Sequence, residues 1–120
     1  MSRPGRDRKI DYIEFSVTDV AAAKSFYSEV FGWKFQDYGP DYSSFDDGSL
    51  QGGISKVNQV RMGGPLVVVY ALELETIQQC ILDNGGVIVR ETFEFPGGRR
   101  FHFRDPSGNE LAVWSDQPTV

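Results

Sequence analysis

Glu14 is the acidic residue whose setting in the sequence best suits chemistry. It lies in the segment 10–17, where apolar and polar residues alternate as in a β-strand with two different faces. The apolar residues should pack on a helix, so Glu14 should point to the opposite face, together with Tyr12. A carboxylate that aromatic rings shield from water can act as a general base or acid. We therefore predict Glu14 as a catalytic candidate, with a salt bridge to an arginine as the alternative.

His102 is the only histidine in the sequence. It stands between two phenylalanines in a predicted strand, a setting typical of a hydrogen-bonded structural histidine. Together with Glu14 and Glu110 it could instead bind a metal ion, since imidazole and carboxylate groups are common metal ligands. Cys80 is the only cysteine, so no intrachain disulfide can form, and we expect its side chain to be buried.

A pattern that occurs twice predicts the elements that carry these residues. A strand and a helix-like run end at Gly32, and the same order recurs 54 positions later and ends at Gly86. Each copy continues with three short strand patterns separated by turns. The predicted fold class is therefore α+β, built from two βαβββ modules. The predicted helices are 20–31 and 73–84, and the predicted strands are 10–17, 33–38, 42–45, 50–55, 66–71, 87–95, 99–104 and 110–114.

The length of the chain and its repeat predict a single domain. A chain of 120 residues suits one compact core. We expect module one at 10–57, a linker at 58–64 and module two at 65–116. Residues 1–9 should form a disordered basic tail, and residues 117–120 should form a second short tail.

The charge and composition narrow the classes of partner. Residues 1–9 contribute +3 to a net charge of −5, which leaves −8 on the rest and argues against nucleic acid. No apolar run approaches the ~20 residues that a membrane span needs, so no membrane partner is expected. A single cysteine fits a reducing compartment, and the first nine residues do not resemble a secretion signal. We therefore expect a cytoplasmic protein, and its acidic body is compatible with a cationic ligand.

Short motifs in both halves of the chain stand in a fairly specific order. They are Asp19, Ala22-Ala23, Phe26-Tyr27, Val30-Phe31-Gly32-Trp33, Gly52-Gly53-Ile54 and Asp105-Pro106-Ser107-Gly108-Asn109. In this order they resemble the vicinal oxygen chelate superfamily, which includes glyoxalase I, bleomycin-resistance and fosfomycin-resistance proteins, and extradiol dioxygenases. The chain looks most like the small glyoxalase-related proteins of unassigned activity. The resemblance covers residues 9–116 and implies two βαβββ modules that form paired half-barrels around a cleft.

The resemblance also implies where a metal ion would bind. In the metal-using members, His, Gln and Glu side chains from the first and last strands of each module bind a divalent ion. The matching positions here are Tyr12, Leu66, Ala112 and the segment 51–53. Leu and Ala have no donor atom, and Tyr is an uncommon ligand for Zn²⁺ or Mg²⁺. We therefore predict no cofactor, with a divalent metal bound by other residues as the alternative.

The predicted function is binding of a small organic molecule in an aromatic, acidic cleft, without the usual divalent metal. Bleomycin-resistance members bind a cationic drug without chemistry in this way. The alternative is a lyase or isomerase of the glyoxalase I type, with a non-standard metal site or Glu14 as general base. The superfamily often forms dimers, so the resemblance implies a homodimer. The predicted ligand-binding residues are Tyr12, Glu14, Tyr42, Gln51, Leu66, Tyr70, His102, Ala112 and Trp114.

Overall fold

The computed structural model describes residues 4–60 and 63–118 of the chain. The described residues divide into two compact units, one from Tyr12 to Leu66 and the other from the residues before and after this stretch. Each unit contains most of one βαβββ module. In the described ranges, neither helix is long and apolar enough to cross a bilayer.

Module one combines four strands with one helix. Its elements are β1 (Ile10–Val17), α1 (Val20–Phe31), β2 (Lys34–Asp37), β3 (Tyr42–Asp46) and β4 (Gln51–Lys56). The strands lie in the order β2-β3-β4-β1. β1 and β4 are parallel, whereas β2 with β3 and β3 with β4 are antiparallel. One side of this sheet packs on α1, so its other side is left to carry polar residues.

Both ends of α1 are fixed by local sequence. Asp19 Oδ1 accepts a hydrogen bond from the backbone N–H of Ala22 at 3.0 Å, which satisfies a donor that the first turn leaves unpaired. Gly32 ends the helix with a φ of 74°, a left-handed conformation that glycine adopts without strain. The next residue, Trp33, then stacks between two rings, with centroid distances of 4.7 Å to Tyr27 and 4.5 Å to Phe45. These rings fill the space between α1 and the sheet.

Module two repeats the same arrangement. Its elements are β5 (Leu66–Tyr70), α2 (Leu74–Asp83), β6 (Val87–Phe95), β7 (Gly98–Arg104) and β8 (Glu110–Ser115). The strands lie in the order β5-β8-β7-β6, with β5 and β8 parallel and the other pairs antiparallel. The core between the sheet and α2 is formed by Ala71, Leu74, Ile77, Ile81, Ile88, Phe101, Phe103 and Val113.

The structure confirms the prediction of an α+β fold with two βαβββ modules. All ten predicted helices and strands are present, with bounds that differ by at most one residue from those expected. The offset of 54 positions holds from α1 at Val20 to α2 at Leu74, but β4 and β8 begin 59 positions apart, at Gln51 and Glu110. The difference arises because β6 and β7 are longer than β2 and β3.

Cys80 is exposed, so the prediction that its side chain is buried is wrong. Leu74, Ile77 and Ile81 define the face of α2 that packs on the sheet. At about 100° per residue, Cys80 points about 100° away from Ile81 around the helix axis. Its position therefore lies outside the packed face.

The segment before β1 makes ordered contacts with module two. Pro4–Arg6 form a 3-10 turn. The backbone N–H of Arg8 donates to Tyr70 O at 2.7 Å, and Asp7 Oδ1 accepts from the N–H of Leu72 at 2.9 Å. Asp7 and Arg8 thus form hydrogen bonds with module two, and the disordered basic tail at residues 1–9 stays a prediction. Residues 1–3 of that tail lie outside the described residues.

Candidate functional site

β1, β3 and β4 turn a polar face away from α1. In the sheet register, Glu14 lies opposite Gly53, and Gly53 lies opposite Ser44. Residues that pair directly across strands point to the same side of a sheet, and residues two apart along a strand do so as well. Tyr12 and Tyr42 therefore share this side with Glu14, as the sequence predicted for Tyr12.

Three of these side chains are joined by hydrogen bonds. The Tyr42 hydroxyl donates to Glu14 Oε2 at 2.9 Å, and its oxygen lies 2.5 Å from the Tyr12 hydroxyl. A tyrosine has one hydroxyl proton, so Tyr42, which uses its proton on Glu14, must accept from Tyr12. Burial and, after it, the negative charge of Glu14 raise the pKa of Tyr42, so this hydroxyl remains a donor. The result is a chain of two hydroxyls that ends on a carboxylate.

Gly53 provides the space that the two tyrosine hydroxyls occupy. A Cβ atom at this position would lie 1.9 Å from Tyr42 Oη and 2.7 Å from Tyr12 Oη, well inside van der Waals contact. Any larger residue would therefore displace the hydroxyls. Because Gly53 has no side chain, the hydroxyls of Tyr12 and Tyr42 have room to form the hydrogen-bonded chain.

Tyr12 also lines a hollow on this polar face. The hollow has a volume of about 300 Å³, at the lower end of the range for small-molecule sites. Lys34 and Asp46, which pair across β2 and β3, give it one positive and one negative group. Its lining residues are Tyr12, Lys34, Phe35, Gln36, Tyr38, Ser44, Phe45, Asp46 and Gln51.

In module two, His102 is a buried titratable group on the sheet face turned away from α2. Its exposed fraction is 7%, and its Nδ1 lies 2.9 Å from Glu110 Oε2. Burial lowers the pKa of His102 below the ordinary value of 6.5. The hydrogen bond to Glu110 opposes this effect, and the charges of Arg100 and Arg90 add to it. The imidazole is therefore neutral at physiological pH, with its proton on Nδ1 facing the carboxylate.

Tyr70 and Trp114 also belong to module two, but their polar atoms bind protein groups. Their rings meet edge to face, with centroids 5.2 Å apart. The Tyr70 hydroxyl donates to Asp116 Oδ1 at 2.5 Å, and Trp114 Nε1 donates to Asp11 Oδ2 at 3.1 Å. Tyr70 is fully buried, so its hydroxyl acts within the protein interior.

Three residues at the implied metal positions have no side-chain atom that could bind a metal ion. Gly53 and Ala112 are equivalent in the two modules, since Gly53 lies opposite Glu14 and Ala112 lies opposite Val68, 54 positions on. Neither residue offers a donor atom, and the buried Leu66 offers none either. In the described ranges, no group of three or more His, Cys, Asp or Glu side chains could hold a metal ion.

The structure brings together some of the predicted site residues. Tyr12, Glu14 and Tyr42 are hydrogen-bonded, and Gln51 lines the hollow with Tyr12. Leu66, Tyr70 and Ala112 are buried, and the predicted role of the whole set in binding stays a prediction. Sequence reasoning predicted Tyr42 on β3 but missed the other residues of β2 and β3 that line the hollow. Strand alternation from Tyr42 could have found Ser44 and Asp46, because residues two apart share a face.

These features define an α+β protein with a duplicated βαβββ module and a hydrogen-bonded polar site on the first module. Residues 9–113 match the model of the Glyoxalase/Bleomycin resistance protein/Dioxygenase superfamily, and the chain belongs to this family. A similar protein is the Glyoxylase-like domain-containing protein of Didymella fabae. It is 28% identical over 121 residues, which cover 88% of this chain and 91% of that protein.

Solved structures of the same fold include two named enzymes. The Mn(II)-bound glyoxalase from Novosphingobium aromaticivorans has a TM-score of 0.70 and 21% identity, and the match covers 96% of this chain and 43% of that chain. Methylmalonyl-CoA epimerase from Mycobacterium tuberculosis has a TM-score of 0.70 and 13% identity, with 91% and 88% covered. This chain thus spans less than half the length of the glyoxalase. At these identities the similarity shows the fold alone.

Proposed function

We propose that this protein binds a small polar organic molecule in the hollow of module one, without the divalent metal that some family members use. The observation that carries the proposal is the hydrogen-bonded chain of Tyr12, Tyr42 and Glu14 at the edge of that hollow. It supports binding because it holds the Tyr12 oxygen in one orientation before a ligand arrives. Preorganised polar groups cost less entropy when a ligand binds.

The lining of the hollow favours a neutral or cationic ligand that forms several hydrogen bonds. Gln36, Ser44 and Gln51 offer amide and hydroxyl groups that can both donate and accept. Lys34 and Asp46 lie opposite each other on the neighbouring strands β2 and β3, so neither charge dominates the hollow itself. Glu14 adds a negative charge behind the tyrosine hydroxyls. A small polyol, amide or amine suits this set of groups better than a large apolar compound.

The test is a screen of small polyols, amides and amines by amide NMR, followed by titration of any compound that binds. We expect shifts concentrated at the lining residues of β2, β3 and β4. Tyr12→Phe should weaken binding about tenfold, since it removes one half-buried hydrogen-bonding group. Tyr27→Phe is the matched control, because Tyr27 packs on Trp33 on the α1 side of the sheet. The proposal fails if no compound binds at millimolar concentration, or if the two variants bind equally well.

A second candidate is proton-transfer catalysis at the same place. The direction of the hydrogen bonds favours it, because a proton taken at Tyr12 could pass through Tyr42 to Glu14. A lyase or isomerase that removes a proton next to a carbonyl group would use such a path.

The test of this candidate is hydrogen exchange. We expect wild-type protein to exchange the carbon-bound hydrogens of dihydroxyacetone for deuterium, and Glu14→Gln to lose this activity. Glu29→Gln, at an exposed position of α1, is the control. Equal exchange by wild type and Glu14→Gln would exclude this candidate.

A homodimer and a cytoplasmic location complete the proposal. Phe26, Val30 and Phe31 on α1 are each more than half exposed, which supports an interface on this helix. The single, exposed Cys80 fits a reducing compartment. Both features remain predictions from the sequence.

A further inference from the structure

The face of module two turned away from α2 carries an unusual strand geometry. Arg90 lies opposite His102, and Phe93 lies opposite Arg100, so Arg90 and Phe93 point to the same side. In a regular strand, residues three apart point to opposite sides. Register shifts between Ile88 and Arg90 and between Arg90 and Phe93 cause the change. Such bulges often redirect side chains next to functional sites.

His102 presents to this face an atom that has no hydrogen-bond partner among the described residues. Because Nδ1 donates to the Glu110 carboxylate, Nε2 carries the lone pair of the neutral ring. Nε2 is buried, and no hydrogen-bonding group of the described residues reaches it. A buried polar atom of this kind costs free energy unless something binds to it. A ligand that donates a hydrogen bond would satisfy it.

The charge around His102 identifies the class of that ligand. The Arg90 guanidinium lies 3.8 Å above the centre of the Phe93 ring, and that of Arg100 lies 5.4 Å from the same ring. Glu110 places one negative charge on the Nδ1 side of the imidazole, and the two guanidinium groups outnumber it, which opposes a metal cation and favours an anion. Arg90 is exposed and Arg100 is half-buried, so a ligand would approach from the Arg90 side and would have to displace the side chains that cover the buried Nε2 of His102.

We propose that Arg90, Arg100 and His102 form a binding site for a small organic anion that carries a hydrogen-bond donor beside its carboxylate. The guanidinium groups bind the carboxylate, and Nε2 of His102 accepts a hydrogen bond from the donor, such as a hydroxyl. Phe95 and Trp114, with ring centroids 6.3 Å apart, give this face an aromatic wall for an apolar substituent. The site lies in module two and does not depend on the hollow of module one.

The probe is mandelate, which has a carboxylate, a neighbouring hydroxyl and an aromatic ring, with calorimetry as the readout. Phenylacetate lacks the hydroxyl and should bind about tenfold more weakly. Styrene glycol lacks the carboxylate and should not bind. Arg90→Gln should weaken mandelate binding about tenfold or more. Lys56→Gln removes one positive charge at an exposed position of β4 and should leave binding unchanged.

The role of His102 has its own measurement, because substitution of this buried residue could disturb folding. As the only histidine in the sequence, it gives a single set of imidazole signals in nitrogen NMR. The Nε2 signal should be that of an unprotonated nitrogen and should shift when mandelate is added, but not when styrene glycol is added. The proposal is overturned if mandelate does not bind at millimolar concentration or leaves Nε2 unchanged. Equal binding by Arg90→Gln and Lys56→Gln would overturn it as well.

Discussion

Tyr42 and His102 show how burial acts in opposite directions on single titratable groups. Burial raises the pKa of Tyr42, an acid that is neutral when protonated, and lowers the pKa of His102, a base that is neutral when deprotonated. Both side chains are therefore uncharged at physiological pH. Each also donates a hydrogen bond to one glutamate of its own module, Glu14 or Glu110. The two candidate sites thus share one arrangement, in which a glutamate carboxylate accepts a hydrogen bond from an uncharged side chain and orients it.

The lowered pKa of His102 predicts a loss of stability in mild acid. The ordinary pKa of histidine is about 6.5. As the pH falls, His102 therefore binds a proton at a higher pH in the unfolded chain than in the folded protein. The free energy of unfolding should then fall by at most about 1.4 kcal/mol per pH unit, until the pH drops through the folded pKa. Glu110 limits the effect by favouring the charged ring, whereas Arg90 and Arg100 enhance it.

The measurement is urea unfolding of wild type and His102→Gln between about pH 8 and about pH 5, the range in which histidine titrates. Wild type should lose more stability than the variant as the pH falls, because the other groups contribute equally to both. An NMR titration of the single imidazole gives the folded pKa directly. A folded pKa above 6.5, or identical pH profiles of the two proteins, would contradict the prediction.

At the scale of helices and strands, local signals allowed most of the fold to be predicted. Asp19 and Gly32 set the ends of α1 through short-range hydrogen bonds and backbone conformation, so their positions can be read from sequence. Strand alternation placed Tyr12 and Glu14 on one face correctly. The bulges of β6 could not be predicted, because a register shift depends on the partner strand as well as on the bulged one. Arg90 was therefore missed as a neighbour of His102.

The same limit explains why the hydrogen-bonded chain was not predicted. Tyr12 and Tyr42 lie 30 positions apart in the sequence. Their contact requires that β4 lie between β1 and β3, with Gly53 opposite Glu14 on one side and Ser44 on the other. The sequence contains Gly53 but does not show which side chains its missing Cβ leaves room for. Packing around a glycine is a property of the assembled sheet.

At the scale of the whole molecule, the two modules share a topology but differ in the chemistry of their polar faces. Module one offers hydroxyls and amides around a carboxylate, and module two offers two guanidinium groups around an imidazole. The equivalent positions Gly53 and Ala112 lack donor atoms in both. A duplicated fold can therefore keep its strands and helices while each copy acquires different surface groups, since the core faces alone determine the packing.

The donor set of the described residues predicts that divalent ions do not stabilise this protein. An ion in hundredfold excess over its Kd would add about 2.7 kcal/mol to the free energy of unfolding and raise the Tm by several degrees. We expect the same Tm in EDTA and in micromolar Zn²⁺, Ni²⁺ or Mn²⁺, and no stoichiometric metal in elemental analysis of the purified protein. His102→Gln is the control that locates any effect, because it removes the only imidazole in the sequence. A rise in Tm with one ion that this variant abolishes would place a metal at His102 and contradict both the metal-free proposal and the anion site. A rise that the variant retains would contradict the metal-free proposal alone.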